Sequence, residues 1–468
     1  MGAFLSSSGN AIRATKNHAQ HTRLDDAVCG AEDWPSLPED LLLIIMAELD
    51  IPGLVRSGAV CTSWHDAYST FRRLRRPSPK QAPCLFYACD EYGPDHAAMY
   101  CPSTNTTFRV PFPRPRNRST GIFFSSNGWV FATNEDADPF LLNPVTGAQL
   151  MLPSVKTLAG MEMEVFLDDD GNLSKEDDIE WARDCAYSRV AISPTTCMVL
   201  LVHEPEQKLS FAKPGDDRWK LLSRDLSLDD VRYNEKDGLF YGLHFSGSVY
   251  VLDLTEPSSP AVTRIMCGVT KLGNPTKYLT ITPSGELWQV WRIWDVDKAD
   301  TQFNHRWSFK DVLHYTSRDC VEFIGRDDEE KTSDPVVSNQ EQDEEEDADE
   351  PVKPSSDSTD MVVTTGDLLI FKIDIDRQKL VELRGIGEHA LFLGYNSAVC
   401  LPTTDFPTLK PNHAYLTDDC SLYSHILRRD LGIWNIEERS LQNLREAWPN
   451  LFAWLYLSAP IWITPSLC

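Results

Sequence analysis

Apolar positions follow two different rhythms along the chain. Between residues 37 and 71 they recur at three- and four-residue steps, the spacing of a helix face. Leu41, Leu42, Ile45 and Leu49 are expected to form one such face. Pro38 predicts the helix start, because its fixed φ and missing N–H cost nothing in a first turn. Asp50-Ile51-Pro52-Gly53 predicts a break, followed by a second short helix from about Leu54 to Gly58. A third helix is expected from Thr62 or Ser63, both N-cap residue types, and carries Trp64, Tyr68 and Phe71. Three short helices cannot bury all their apolar faces alone, so this unit is expected to offer one to a partner.

From Cys84 onward the rhythm changes to short alternating apolar runs bounded by Gly, Pro, Asn or Asp, which predicts an all-β region. Asn127-Gly128 leads into Trp129-Val130-Phe131-Ala132, and Lys236-Asp237-Gly238 into Leu239-Phe240-Tyr241. Ser246-Gly247 and Pro283-Ser284-Gly285 stand before Val249–Leu254 and Leu287–Trp291 in the same way. Asn-Gly and Asp-Gly before alternating apolar residues are hairpin signals. Degenerate meanders over more than 300 residues fit a propeller better than a sandwich, and at about 40–50 residues per blade seven blades are expected ahead of six. The fold class is therefore α+β and multidomain, a three-helix unit followed by an all-β propeller-like domain.

Residues 1–33 read as a disordered leader, 34–76 as the helical unit, and 77–83 as a proline-punctuated linker. The β domain is expected over 84–325 and again over 361–468, with an acidic disordered insert at 326–360 between them. Composition sharpens that division. The net charge is −26, and residues 327–350 alone hold 13 Asp and Glu against one lysine. Such a segment cannot bury apolar surface; a solvated spacer is the favoured reading, with a phosphorylation target at Thr332, Ser333 or Ser355–Thr359, or a docking tail for a basic partner, as the alternative. Arg72, Arg73, Arg75, Arg76 and Lys80 make a solvated helix end rather than a nucleic-acid face. The final apolar run, residues 451–463, is interrupted by Pro460 and too short to span a bilayer, so a buried closing strand is expected and no stable membrane insertion. The 12 cysteines have no zinc spacing, and no secretory leader is evident, which predicts reduced thiols in the cytoplasm or nucleus and idle sequons at Asn105, Asn117 and Asn172. Met1-Gly2-Ala3-Phe4-Leu5-Ser6 fits the myristoylation pattern, against the simpler reading of a disordered leader.

The ordered run Leu37-Pro38, Leu41-Leu42, Ile45, Leu49, Leu54, Val60-Cys61, Trp64 resembles the F-box, a three-helix module that docks on a Skp-type adaptor of cullin ubiquitin ligases. Pro52-Gly53 departs from the turn many F-boxes carry. Further motifs extend the resemblance over about residues 34–467: Arg218-Trp219, Val231-Arg232-Tyr233 through Leu254, Gly387-Glu388-His389-Ala390-Leu391-Phe392-Leu393-Gly394, and Ala459-Pro460-Ile461-Trp462-Ile463-Thr464-Pro465-Ser466-Leu467. These are similar to plant F-box proteins carrying domain of unknown function 295, a KIB-type propeller. The resemblance implies that Leu37, Pro38, Leu41, Leu42, Ile45, Leu49, Leu54, Val60, Cys61 and Trp64 bind the adaptor and, through it, a cullin. The β domain would then hold an unnamed target protein.

Motifs that would carry chemistry are incomplete. Gly385-Ile386-Gly387-Glu388-His389-Ala390 has the spacing of a dinucleotide loop, but a strand-like run follows where a helix is required. His203-Glu204 lacks the second histidine of a zinc protease helix, and Pro205 would break that helix. Asp168, Asp170 and Asn172 have calcium-loop spacing, but Leu173 and Ile179 stand where glycine and glutamate are needed. Cys61 reads as a small hydrophobe, and Trp129, Trp181, Trp219, Trp288, Trp291, Trp294, Trp307 and Trp434 mostly as blade core. No catalytic residue, cofactor or metal ligand is expected, and the chain reads as a non-catalytic receptor. The alternatives are a propeller enzyme or small-ligand binder with the helices as a structural cap, and an F-box scaffold without degradation.

Overall fold

The computed structural model describes residues 37–49, 51–73, 82–93, 95–112, 122–159, 179, 182–183, 185–204, 207–223, 226–269, 275–297, 362–419, 430–443 and 459–466. The leader, most of the linker, the acidic insert, residues 451–458, Trp181, Trp307 and the Asp168–Asn172 motif lie outside these residues. Three helices come first: α1 (Glu39–Glu48), α2 (Ile51–Ser57) and α3 (Thr62–Arg73). Pro38 takes the N-cap of α1, its carbonyl accepting from the N–H groups of Leu41 and Leu42 at 3.0 and 3.1 Å. Glu39 and Asp40 follow in the first turn, where the helix dipole favours acid. The expected break at 50–53 is shorter than the sequence predicts. Ile51, Pro52 and Gly53 form the first turn of α2, where the proline has no hydrogen bond to lose. Gly58 closes the turn into α3, since a Cβ there would lie 2.7 Å from the Tyr68 ring.

The rest of the described chain is six antiparallel-based sheets, each of which is one propeller blade. Blade one contains β1 (Cys84–Ala88), β2 (His96–Cys101) and β3 (Thr106–Pro111). Blade two is β4 (Phe124–Ser126), β5 (Trp129–Thr133), β6 (Pro139–Leu142) and β7 (Gln149–Met151). Blade three is β8 (Tyr187–Ile192), β9 (Val199–His203), β10 (Lys208–Ala212) and β11 (Lys220–Ser223). Blade four is β12 (Leu228–Asn234), β13 (Leu239–His244), β14 (Val249–Asp253) and β15 (Ala261–Met266). Blade five is β16 (Thr276–Ile281), β17 (Leu287–Asp297), β18 (Val362–Asp374) and β19 (Lys379–Leu383). Blade six contains β20 (His389–Leu393), β21 (Val399–Pro402), β22 (His413–Leu416), β23 (Gly432–Asn435) and β24 (Ser440–Asn443). Its order is β21-β20-β22-β23-β24, with β20 and β22 parallel and Leu391 opposite Ala414.

Six blades replace the seven expected first. The miscount has a source in the chain: 64 residues separate Asp297 from Val362, yet these two are paired neighbours in the β17–β18 ladder of a single blade. Another long connector separates β7 from β8. Chain length divided by a mean repeat therefore overestimates the ring.

Alternation does the packing. Phe86 of β1 meets Phe112, Phe123, Val130 and Phe140 on the blade-two side, while its neighbours Leu85 and Tyr87 face Phe392 and Tyr415 of blade six. On the far side of blade six, Leu391 and Leu393 join Tyr278, Val290 and Ile370. Both faces of a blade are thus apolar, as expected for sheets stacked around an axis. The last strands, such as β7, β15 and β19, are largely exposed and form the rim. Asn127 and Gly128 have φ of 48° and 83°, the mirror-image turn that a two-residue hairpin requires between β4 and β5.

The ring closes through β25 (Ile461–Ile463), which pairs antiparallel to β1 with Trp462 opposite Leu85 and becomes the innermost strand of blade one. Trp462 is buried, its ring 5.1 Å from Phe392 and 6.0 Å from Tyr415, and its carbonyl accepts from the Ser125 hydroxyl of blade two. One strand therefore ties together blades one, two and six. Trp462→Ala should lower unfolding stability by about 3–5 kcal/mol, the range for a buried aromatic cut to alanine. A urea titration followed by tryptophan-independent far-ultraviolet dichroism measures it; a change below ~1 kcal/mol would mean that closure does not depend on this side chain.

Candidate functional site

The helical unit buries Leu42, Leu43, Met46, Leu54, Trp64, Ala67 and Phe71 against one another. Residues 41–47 are apolar without interruption, so α1 has more apolar surface than three short helices can cover. What remains outside is Leu41 at 47% exposure, Ile44 at 58%, Val55 at 42% and Val60 at 63%. Large apolar side chains this exposed number nine among the described residues, and four of them fall within these 20 positions. The concentration, more than any single residue, sets this face apart from the rest of the described surface.

The structure sorts the ten residues expected at the adaptor into three groups. Leu42, Leu54 and Trp64 are interior and hold the helices together. Leu37, Ile45, Leu49 and Cys61 are half-buried at its margin, while Pro38, Leu41 and Val60 are exposed. Leu41 and Leu42 thus lie on different sides of α1 instead of sharing one face. Ile44 and Val55 were not among the expected residues; Ile44 was legible as the i+3 neighbour of Leu41. Ser57 donates to the Leu54 carbonyl at 2.7 Å and His65 Nδ1 lies 3.1 Å from the Gly58 carbonyl, which fixes the α2–α3 turn carrying Val60.

Val145 packs against this helical core from the turn between β6 and β7. Asn143 holds that turn, its Oδ1 accepting from the N–H groups of Val145 and Thr146 at 3.0 Å and its Nδ2 donating to the Ser466 carbonyl at 3.1 Å. In a four-stranded meander the third-to-fourth turn lies at the end opposite the second-to-third turn. The helices therefore sit at one end of the propeller, and the β17–β18 hairpin with its 298–361 insertion leaves from the other.

That other end is braced by buried charge. Arg292 on β17 donates to Asp419 at 3.2 Å, to Asp430 at 2.9 Å and to the Thr417 carbonyl at 2.7 Å. Asp419 also accepts from Arg189 of β8 at 3.0 Å and from the Tyr278 hydroxyl of β16 at 2.8 Å. Arg189 lies 4.0 Å from Asp230 of β12, whose carboxylate accepts from the N–H groups of Val231 and Leu279. Lys277 and Asp229 pair at 3.6 Å alongside. Four blades are linked. Burial works against the Arg292 charge, but Tyr278, Asp430 and Asp419 outweigh it and hold the guanidinium pKa above its usual value. Burial pushes the Tyr278 hydroxyl well up, with Asp419 adding to it.

The sequence did not show this network, because residues 189, 230, 292, 419 and 430 meet only when the ring is closed. Elsewhere, Gly385–Ala390 leads into strand β20, which excludes a dinucleotide loop. His203 is buried and bonded to Ser210 and the Glu204 carbonyl. Among the described residues, no three His, Cys, Asp or Glu side chains come together as a metal site requires, and no helix is long and apolar enough to cross a membrane.

Asp230 yields a pH prediction. Burial raises its pKa from 3.8 to about 7 against the pull of Arg189 and Arg232. A raised folded-state value means the folded chain holds the proton more tightly. The associated stability is complete below about pH 4 and declines as pH rises through 7. Asp230→Asn, which keeps an acceptor for Leu279, should gain on the wild type in melting temperature between pH 5 and 8. A difference constant across that window would show that Asp230 stays ionised.

Comparison with known proteins covers both parts of the chain. A family model described as KIB1-4 beta-propeller matches residues 99–435, and one described as F-box-like matches residues 34–76. Among curated proteins the chain is 22% identical over 262 residues to "Putative F-box protein At5g55150" of Arabidopsis thaliana, covering 56% of this chain and 67% of that protein. It is 24% identical over 229 residues to "F-box/kelch-repeat protein At1g57790" of the same plant, covering 47% and 56%. The chain thus spans between about half and two thirds of the length of these relatives. Among solved structures, "YCF48 from Cyanidioschyzon merolae" aligns at 10% identity over 42% of this chain and 64% of that one, with a TM-score of 0.27.

Proposed function

Because the chain belongs to the KIB1-4 beta-propeller family and carries an F-box-like domain ahead of its propeller, we propose that it is the substrate-recognition subunit of a Skp–cullin–F-box ubiquitin ligase. The observation that carries the proposal is the exposed apolar set Leu41, Ile44, Val55 and Val60 within the F-box-like residues. Each side chain, about half exposed, gains roughly 1 kcal/mol when a partner covers it. Half-buried Leu37, Ile45, Leu49 and Cys61 extend the surface, and the adaptor brings the cullin. Arabidopsis relatives named as F-box proteins support the same role.

In this reading the propeller holds a target protein and supplies no nucleophile, base or metal. Rate enhancement comes from tethering, which raises the effective concentration of a target lysine near the charged conjugating enzyme. Two structural features suit that task. The helices rest on Val145 rather than hanging from a linker alone, and the Arg292–Asp419 network stiffens the far end. The cytoplasm or nucleus is the compartment this role requires.

The division between exposed and interior residues gives the test. Ile44→Asp or Val60→Asp should reduce capture of a purified Skp-type adaptor by at least about tenfold, with the melting temperature unchanged within a degree or two. Met46→Asp, which buries a charge inside the helical core, should lose capture and also unfold the helices, seen as lost helical dichroism. If the surface variants bind like wild type, the adaptor does not use this face.

A further inference from the structure

The F-box-like helices meet the propeller at a turn whose own geometry has no use for an apolar residue. Asn143-Pro144-Val145-Thr146-Gly147-Ala148 joins β6 to β7, and asparagine, proline, threonine and glycine are residues that turns favour. Val145 is the exception. Among the described residues, the apolar cores on the two faces of blade two do not include it. It packs instead on the core of the helices, which no other described apolar residue of the propeller joins.

Hydrogen bonds set where Val145 stands. The Asn143 N–H donates to the Ala148 carbonyl and the Gly147 N–H to the Asn143 carbonyl, each at 2.9 Å. Gly147 takes a φ of 69°, which glycine adopts without strain. The buried Asn143 side chain adds its bonds to Val145, Thr146 and the Ser466 carbonyl, so the turn is anchored to the segment that closes the ring. The covalent connection is looser. Eight residues separate Arg73, the last of α3, from Ala82 in the core between blades one and six. A chain of that length reaches up to about 30 Å, and alone it would allow many orientations of the helices.

We propose that Val145 is a positioning residue, which holds the F-box-like helices in one orientation on the propeller and so sets the separation of adaptor and target. The inference rests on the receptor role proposed above. Tethering raises effective concentration most when the span between two sites is matched, and a loose joint spreads a target lysine over positions that do not lead to transfer. The contact leaves the apolar docking face clear: with Val145 seated, Leu41, Ile44, Val55 and Val60 stay exposed. Val145 thus acts through the helices and touches neither adaptor nor target.

The test reads the joint itself and needs neither adaptor nor target. Spin labels on unnatural amino acids at exposed Ser69 of α3 and exposed Asp136 between β5 and β6 report their separation in the full chain by double electron–electron resonance. The wild type should give one narrow distance. Val145→Ser should broaden it at least about twofold as the tether takes over, with helical dichroism and the melting of the ring unchanged. Val145→Ile keeps a branched apolar side chain and should hold the narrow distance. Capture of a purified Skp-type adaptor by Val145→Ser should match the wild type. A broad distance in the wild type, or an equally narrow one in Val145→Ser, would overturn the proposal and leave adaptor docking untouched. Lost helical dichroism in Val145→Ser would overturn it by making the residue part of the helical fold, and lost capture alone by placing it in the docking face.

Discussion

Everything in this molecule depends on closure of the ring. A propeller blade is apolar on both faces, and only a complete circle of neighbours covers them all. Here the last described strand, Ile461–Ile463, pairs with β1 at the start of the domain, so residues nearly 380 positions apart complete blade one. Such long-range pairing is slow to form but makes the six blades one cooperative unit. Until it forms, Leu85 and Tyr87 on one side and the stacked Phe392–Tyr415 pair on the other lack each other across the seam.

Closure also organises what the ring carries at each end. At one end, the Ser466 carbonyl just beyond β25 accepts from Asn143, which sets the turn that places Val145 under the F-box-like helices. The segment that closes the propeller therefore helps seat the F-box-like module. At the other end, closure brings Arg189, Asp230, Arg292, Asp419 and Asp430 together from four blades. Buried ion pairs of this kind add little net stability over apolar packing, but removing one partner leaves an uncompensated charge. Their evident effect is to fix how the blades sit relative to each other.

Much of this was legible in the sequence, and the limits were physical. Asn127-Gly128 and Asp237-Gly238 announced hairpins because left-handed turns demand those residues, and the hairpins are there. The Leu-Pro to Trp pattern announced three helices. It did not announce which leucines face inward, because residues 41–47 are apolar on every side and periodicity has nothing to contrast. Pro52 signals a break by its residue type, yet the first turn of α2 tolerates it. Dividing length by a mean repeat overcounted the blades, because β17 and β18, paired in one blade, are separated by residues 298–361 in the chain. Arg189, Arg292 and Asp419 carry no local signature; their meaning arises from contacts between segments far apart in sequence.

The central claim is that the apolar face of the F-box-like helices is open in the free chain and is covered by a Skp-type adaptor. The most direct measurement is calorimetric titration of the full chain with purified adaptor at several temperatures. Burial of Leu41, Ile44, Val55 and Val60 predicts saturable one-to-one binding with a negative heat-capacity change, the mark of apolar surface leaving water. No binding, or binding whose enthalpy does not vary with temperature, would contradict the account and return the helices to the role of a cap on the propeller.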